Sequence, residues 1–286
     1  MSAARLVANV PAGVGTGSEF SFDARDFERV RILIQQPAGI SLHPGKQAMV
    51  YSRLSRRLRD TGHRSFAAYL ELLDDTGTAS CANETQEFIN CLTTNLTSFF
   101  REEHHFHALA DALAARAGAA ARIWCSAAST GEEPYSVAMT VVETLGAAAD
   151  VQIVASDIDT QVLAMAARGV YRCDAAGLSP QRLRLHCLRG TGANSGLLRI
   201  RPELARCIRF QAHNLLDAME PLGEPFNIVF CRNVLIYFDT ATQHRVLTEM
   251  HRAMKPGSLL FVGHSENFTD LRTLFRPRAK TVYERV

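Results

Sequence analysis

Two adjacent carboxylates, Glu132 and Glu133, follow a run of small residues, Ser126-Ala127-Ala128-Ser129-Thr130-Gly131, and a third, Asp157, closes the apolar run Val151 to Ala155. Small side chains let a ligand come close to the backbone. A carboxylate at the end of a strand can accept hydrogen bonds from both hydroxyls of a ribose. Taken singly, each has a plainer reading, a tight strand–helix turn for the first and a turn or helix-capping aspartate for the second. Together, and in this order, they imply a nucleoside-bearing cofactor. A dinucleotide would demand a glycine fingerprint cradling its pyrophosphate at a helix N-terminus. Glu132 and Glu133 would instead repel phosphate and suit a cationic amino-acid tail, such as that of S-adenosylmethionine.

Other reactive residue types carry less. His104-His105-Phe106-His107 invites a metal site, but adjacent helical positions point ~100° apart. The histidines are therefore expected to diverge, and no metal is expected. His264-Ser265-Glu266-Asn267 shows no nucleophile–base spacing and is read as structural. Of the seven cysteines, no two stand in CxxC spacing, which suits reduced thiols in a cytoplasmic protein.

These residues need a scaffold, and hydrophobic periodicity supplies one. Ile123–Cys125, Val151–Ala155, Phe226–Cys231, Leu259–Val262 and Thr281–Arg285 read as strands. Helices over about 134–145, 160–168 and 240–254 alternate with them, two of these behind the caps Asp159 and Asp239. The alternation predicts an α/β fold with a parallel, doubly wound sheet. Residues 172–212, rich in glycine and short alternating runs, predict a small antiparallel β insertion. Upstream, residues 19–81 read as an all-helical domain, with Val50, Leu54 and Leu58 one turn apart, and 82–92 as a helical connector. The methyltransferase domain is expected over 93–286. Residues 1–18 are read as a flexible tail in place of a signal peptide, because Pro11 and Gly13 break the short apolar patch.

In the 286-residue chain, 47% of residues are hydrophobic and 21% charged, as in a folded globular protein, and no apolar run is long enough to span a bilayer. A net charge of +2 does not point to nucleic acid.

With these elements in place, LTTNLTSFFRE (92–102), STGEEPYS (129–136), ASDID (155–159), FCRNVLIYFD (230–239) and GHSENF (263–268) closely resemble the CheR-type chemotaxis receptor methyltransferases. The resemblance runs from about Phe27 to the C-terminus. It implies a cofactor site for S-adenosyl-L-methionine, with S-adenosyl-L-homocysteine as product. Asn95, Thr97 and Arg101 would reach over the cofactor, Glu132 would meet its amino group and Asp157 its ribose. Asn214 and Leu215 would border the adenine, and Arg232 and Asn233 would stand at the end of a strand near it. Arg101 and Tyr237 are the expected catalytic pair, one gripping the incoming glutamate and the other beside the transferable methyl. A structural reading stays open for several of them: Arg232 paired with a carboxylate, Tyr237 as a core ring, Asn214 capping a turn.

The implied substrate is a glutamate side chain in the helical methylation region of a methyl-accepting chemotaxis receptor. The basic residues Lys46, Arg53, Arg56, Arg57 and Arg59 would dock on that acidic region. In some relatives the β insertion also binds a pentapeptide at the receptor C-terminus. Gly190, Gly192 and Gly196 resemble the loop of that type. A monomer is expected, with no nucleic-acid partner and no membrane insertion. Two rivals share these residues: a methyltransferase acting on another protein or a small molecule, and a non-catalytic S-adenosylmethionine sensor. The basic helix and the insertion weigh against the first, and the joint presence of Arg101 and Tyr237 against the second.

Overall fold

The computed structural model describes residues 19–74, 79–116, 118–266 and 273–286. The expected tail over 1–18, most of the turn after Asp74 and the end of the GHSENF segment lie outside the described residues. The chain divides into two compact units, Met1–Leu92 and Thr93–Val286.

The first unit is helical: α1 (Ala24–Ala38), α2 (Gln47–Thr61), α3 (Phe66–Asp74) and α4 (Ala79–Leu92). Asp23 starts α1 by accepting from the Asp26 amide at 2.9 Å, while Asp26 accepts from the Asp23 amide at 3.2 Å. Helical spacing turns Phe27, Val30 and Ile34 inward, and Val50, Leu54 and Leu58 are fully buried. The expected connector over 82–92 is corrected. α4 is the fourth helix of this unit, because Phe88, Ile89 and Leu92 join its core and buried Glu84 takes polar partners from α2 and α3.

The second unit begins with an irregular segment, residues 93–103, and α5 (His104–Ala115). There follow β1 (Ala121–Cys125), α6 (Glu132–Leu145), β2 (Val151–Asp157), α7 (Thr160–Arg168), β3 (Val170–Arg172), α8 (Pro180–His186), β4 (Cys187–Arg189), β5 (Leu197–Ile200), α9 (Pro202–Ala205) and β6 (Ile208–Ala212). β7 (Phe226–Cys231), α10 (Thr240–Arg252), β8 (Met254–Val262), β9 (Phe275–Ala279) and β10 (Val282–Arg285) complete it. The main sheet runs β6-β2-β1-β7-β8-β10-β9. β6, β2, β1, β7 and β8 are parallel, but the parallel expectation is corrected for the last strand: β10 pairs antiparallel with β8, and β9 antiparallel with β10, at one edge. The order reverses at β1, which has β2 on one side and β7 on the other. In such sheets a crevice opens there, beyond the C-terminal strand ends. One apolar layer packs Leu109, Leu113, Val137 and Met139 on one face of the sheet, and another packs Val246, Leu247 and Met250 on the opposite face.

Three sequence expectations shift. The insertion is a three-stranded antiparallel sheet, β3-β5-β4, running from Val170 to Ile200, with α8 inside it. Ile208–Ala212, expected within it, instead pairs parallel to β2 in the main sheet. As an edge strand it keeps one side open, and its mixed burial mimics the insertion's alternation. β9 was not anticipated: its sequence, FRPRA, is charged and holds a proline, features that an edge strand tolerates. Among the described residues, no helix is long and apolar enough to cross a membrane.

Candidate active site

The turn after β1 is built to be close-fitting. The Ser126 amide donates to the Phe230 carbonyl at 2.9 Å and the Ala128 amide to the Ser156 carbonyl at 2.9 Å, so the turn is sewn to both flanking strands. Gly131 adopts φ +100°, and a Cβ there would sit 2.7 Å from the Tyr171 hydroxyl oxygen and 2.9 Å from Ala166 Cβ. Only glycine combines that left-handed backbone with so little space. Glu132 opens α6 just beyond, with one carboxylate oxygen held by the Thr130 hydroxyl at 2.6 Å. Burial raises its pKa.

Asp157 ends β2 and is 7% exposed. Its Oδ2 accepts from the Ser129 amide at 2.8 Å and its Oδ1 from the Asp159 amide at 3.0 Å. Burial pushes its pKa up to about 6, against the opposing pull of these amides. A carboxylate has about four lone-pair directions. These two bonds orient Asp157 and leave acceptor capacity on each oxygen, which suits a pair of ribose hydroxyls. With Glu132 half-buried at the start of α6 as an anion suited to an ammonium group, the residues fit S-adenosylmethionine.

The 93–103 segment carries Asn95, Thr97 and Arg101. Asn95 donates from Nδ2 to Asp159 at 2.8 Å, Thr93 donates to the same oxygen at 2.7 Å, and the Asn95 carbonyl accepts from the Ser129 hydroxyl at 3.0 Å. Asp159 therefore does more than cap α7, through the Gln161 amide at 3.0 Å; it also moors this segment beside Asp157. Thr97 is half-buried. Arg101 donates to the Leu96 carbonyl at 2.9 Å and so closes the segment on itself.

β7 delivers Arg232, Asn233 and Tyr237. The Arg232 side chain is 2% exposed. It donates to Glu133 at 2.9 Å and to the Arg101 carbonyl, and it lies 3.6 Å from Glu102. The resemblance set Arg232 near the cofactor; here its two Nη atoms engage Glu133 and the Arg101 carbonyl and so support the backbone of Arg101, while its buried Nε has no hydrogen-bond partner among the described residues. Burial raises the pKa of Glu133, and Arg232 counters that rise. Asn233 takes φ +58°, and Tyr237 ends a short 3-10 turn, half-buried. Asn214 and Leu215 follow β6, where Asn214 accepts from the Leu216 amide at 3.0 Å and Leu215 is buried.

Glu266, read from the sequence as structural, is the polar anchor of the β7 loop. Its carboxylate accepts from four amides: Gly263 at 2.6 Å, Asn233 and Val234 at 3.0 Å, and Leu235 at 2.8 Å. Glu133, read with Glu132 as suiting a cationic tail, instead pairs with Arg232. Ser129 and Asp159 are further residues that sequence reasoning did not assign to the site; Asp159 carried a signal only as the cap of α7.

The expected divergence of the histidines is corrected. The His104 and His105 ring centroids lie 4.2 Å apart, and both rings reach the Thr281 hydroxyl, at 3.2 and 2.7 Å. Glu102 completes a cluster able to offer ligand atoms. Arg232 beside Glu102 already supplies the positive charge that a metal ion would bring. Burial, aided by Arg232, pushes the pKa of His105 down to about 3. All seven cysteines are free thiols.

On α2, Arg57 forms a double contact with Glu84, at 2.7 and 2.5 Å, and Glu84 also accepts from Tyr69 at 2.8 Å. Arg53 donates to the Leu92 carbonyl at 3.0 Å. Arg59 pairs with Glu19 at 2.6 Å, and Arg56, 82% exposed, lies 3.9 Å from Asp60. Lys46 stands at the helix start. Gly190, Gly192 and Gly196 form the β4–β5 connection, where the Gly190 amide donates to the Leu197 carbonyl at 2.9 Å.

Residues 95–283 match the family model described as CheR methyltransferase, SAM binding domain, and residues 25–93 the CheR methyltransferase all-alpha domain. The chain is 50% identical over 259 residues to the chemotaxis protein methyltransferase of Escherichia coli, covering 90% of this chain and 89% of that one. It is 47% identical over 280 residues to chemotaxis protein methyltransferase 2 of Pseudomonas aeruginosa, covering 96% and 98%. An all-alpha domain ahead of an S-adenosylmethionine-binding domain is what these family models describe, and this chain belongs to the CheR methyltransferase family.

Proposed function

We propose that this enzyme transfers the methyl group of S-adenosylmethionine to glutamate side chains of methyl-accepting chemotaxis receptors, forming glutamate methyl esters. The names of its relatives support the receptor. The carboxylate acceptor is supported above all by Arg101, a cation fixed through Leu96 and Arg232 in the segment moored beside Asp157.

When bound, S-adenosylmethionine supplies a methyl group on a positively charged sulfur, and a glutamate carboxylate, ionised at neutral pH, can accept it without a general base. The protein's task is then binding, orientation and exclusion of water. Asp157 holds the ribose and Glu132 the ammonium group, while Asn214 and Leu215 border the adenine. Arg101 grips the incoming carboxylate, and Tyr237 orients it. Opposite charges vanish during the reaction, so water, which stabilises them while separate, must be displaced. Arg56 and Arg59 on α2 present exposed positive charge to the acidic receptor helices, and the edge strand β4 offers a place for a receptor C-terminal pentapeptide.

Incubation with labelled S-adenosylmethionine and receptor cytoplasmic fragments tests this reading. Base-labile methyl ester on the receptor is expected. Label that survives base would place the methyl on nitrogen or an ether oxygen and reject the carboxylate acceptor.

A further inference from the structure

The β insertion has a second face, turned inward, and its side chains meet the two segments that would flank the cofactor. Tyr171 of β3 donates its hydroxyl to the Thr130 carbonyl at 2.8 Å, one residue before Gly131 and two before Glu132. Its ring also stands edge-on to Phe99, with centroids 4.9 Å apart. Between β3 and α8, Gly177 adopts φ +93° with its Cα pressed on the Phe99 carbonyl, so that a Cβ there would lie 1.8 Å from that oxygen. From α8, the Arg182 guanidinium lies 3.5 Å from the centroid of the Phe100 ring. Arg182 is fixed by a fork of bonds to Glu143 of α6, at 3.0 Å from both Nε and Nη2, and His186 joins the same carboxylate at 3.0 Å.

Phe99 and Phe100 lead directly into Arg101. Phe100 sits at φ +51°, a left-handed backbone that an aromatic residue rarely adopts and keeps only where surrounding contacts enforce it. Its amide is satisfied by the Ser136 hydroxyl at 3.0 Å. Its ring is held between Arg182 of the insertion and Phe106 of α5, whose ring centroid lies 4.9 Å away, while its neighbour's carbonyl meets Gly177 of the insertion. A module serving only to capture a peptide has no need to reach under Arg101 or to bond the Thr130 carbonyl.

We propose that the inner face of the insertion is a working part of the methyl-transfer site, with Tyr171 and Arg182 as positioning residues. Tyr171 sets the turn carrying Glu132, and Arg182 sets the backbone that aims Arg101. The proposal rests on the site reading given above and adds a role for the insertion that needs no bound receptor peptide.

Two conservative variants of the full chain test it. Tyr171→Phe keeps the ring against Phe99 and removes one hydrogen bond; it is expected to weaken S-adenosylhomocysteine binding about fivefold in calorimetry. Arg182→Lys keeps a cation beside Glu143 but loses the flat stack on Phe100, and should lower kcat about tenfold with the KM for a receptor fragment unchanged. If Arg182→Lys retains full kcat, or if Tyr171→Phe binds S-adenosylhomocysteine within about twofold of wild type, the proposal is overturned. Effects confined to the KM for receptor would overturn it too, since they would leave the insertion a docking module alone. Asp157→Asn serves as the separate control. Unchanged S-adenosylhomocysteine affinity in that variant would strike the cofactor-site reading itself, a result distinguishable from failure of the insertion variants alone.

Discussion

Asp157 shows how one buried carboxylate can be both costly and useful. Its pKa is raised from 3.8 to about 6, with burial as the largest cause. An acid shifted upward contributes stability that is complete below its ordinary value and is lost as pH rises through about 6. Ribose hydroxyls favour the ionised form, so bound cofactor draws the pKa back down. S-adenosylhomocysteine affinity should therefore fall as pH drops through about 6, approaching tenfold per unit below it. Calorimetry from about pH 5 to 8 measures this slope, and Asp157→Asn should flatten it. Glu133 and Arg232 follow another logic, that of a buried pair in which each offsets part of the cost of the other. Truncating either leaves an uncompensated charge, worth about 3–5 kcal/mol in comparable sites.

Among the elements, the loop after β7 depends most visibly on a distant residue. Asn233 takes a left-handed backbone and Tyr237 ends an irregular turn, yet the local sequence NVLIY has no glycine or proline to impose this. Glu266 does, through four amides. Glu266→Gln keeps the shape but replaces one acceptor oxygen with an NH2 group facing two amide donors. The expected cost is about 1–3 kcal/mol in denaturant unfolding, with a loss of kcat larger than any change in receptor KM. An unchanged unfolding midpoint and kcat would mean that the loop holds its form without the carboxylate. The segment 93–103 is comparable. It belongs to no helix or strand of the sheet, and Asp159, Ser129, Arg232 and Ser136 moor it through hydrogen bonds.

For the whole molecule, the basic residues of α2 separate into two groups. Arg57 is locked to Glu84 and Arg53 to the Leu92 carbonyl, whereas Arg56 and Arg59 are largely exposed. Arg57→Ala should lower the thermal midpoint, because it strands a carboxylate that is only 9% exposed. Arg56→Ala with Arg59→Ala should leave the midpoint within about 1 °C, since exposed pairs contribute little. If α2 docks on receptors, the double variant should raise the receptor KM and reduce its dependence on salt, leaving S-adenosylhomocysteine affinity intact. Wild-type salt dependence in the double variant would move the docking surface elsewhere.

Much of this protein was legible in the order of its residues. Helical and alternating periodicity report which face is buried, so the helical first unit, the parallel strands and the capped starts of α7 and α10 could be read directly. The places of Asp157 at a strand end and of Glu132 beside the small-residue turn could be read as well, because they stand in contiguous strand–turn–helix signals. Contacts between residues far apart in sequence have no such local trace. The pairing of β6 with β2, the reach of Arg232 to Glu133 and of Glu266 to Asn233, and the meeting of His104 with Thr281 were decided only when the chain folded. So was the inward grip of Tyr171 and Arg182. A buried polar group must find partners wherever the packed elements bring them, and sequence separation places no limit on where those partners lie.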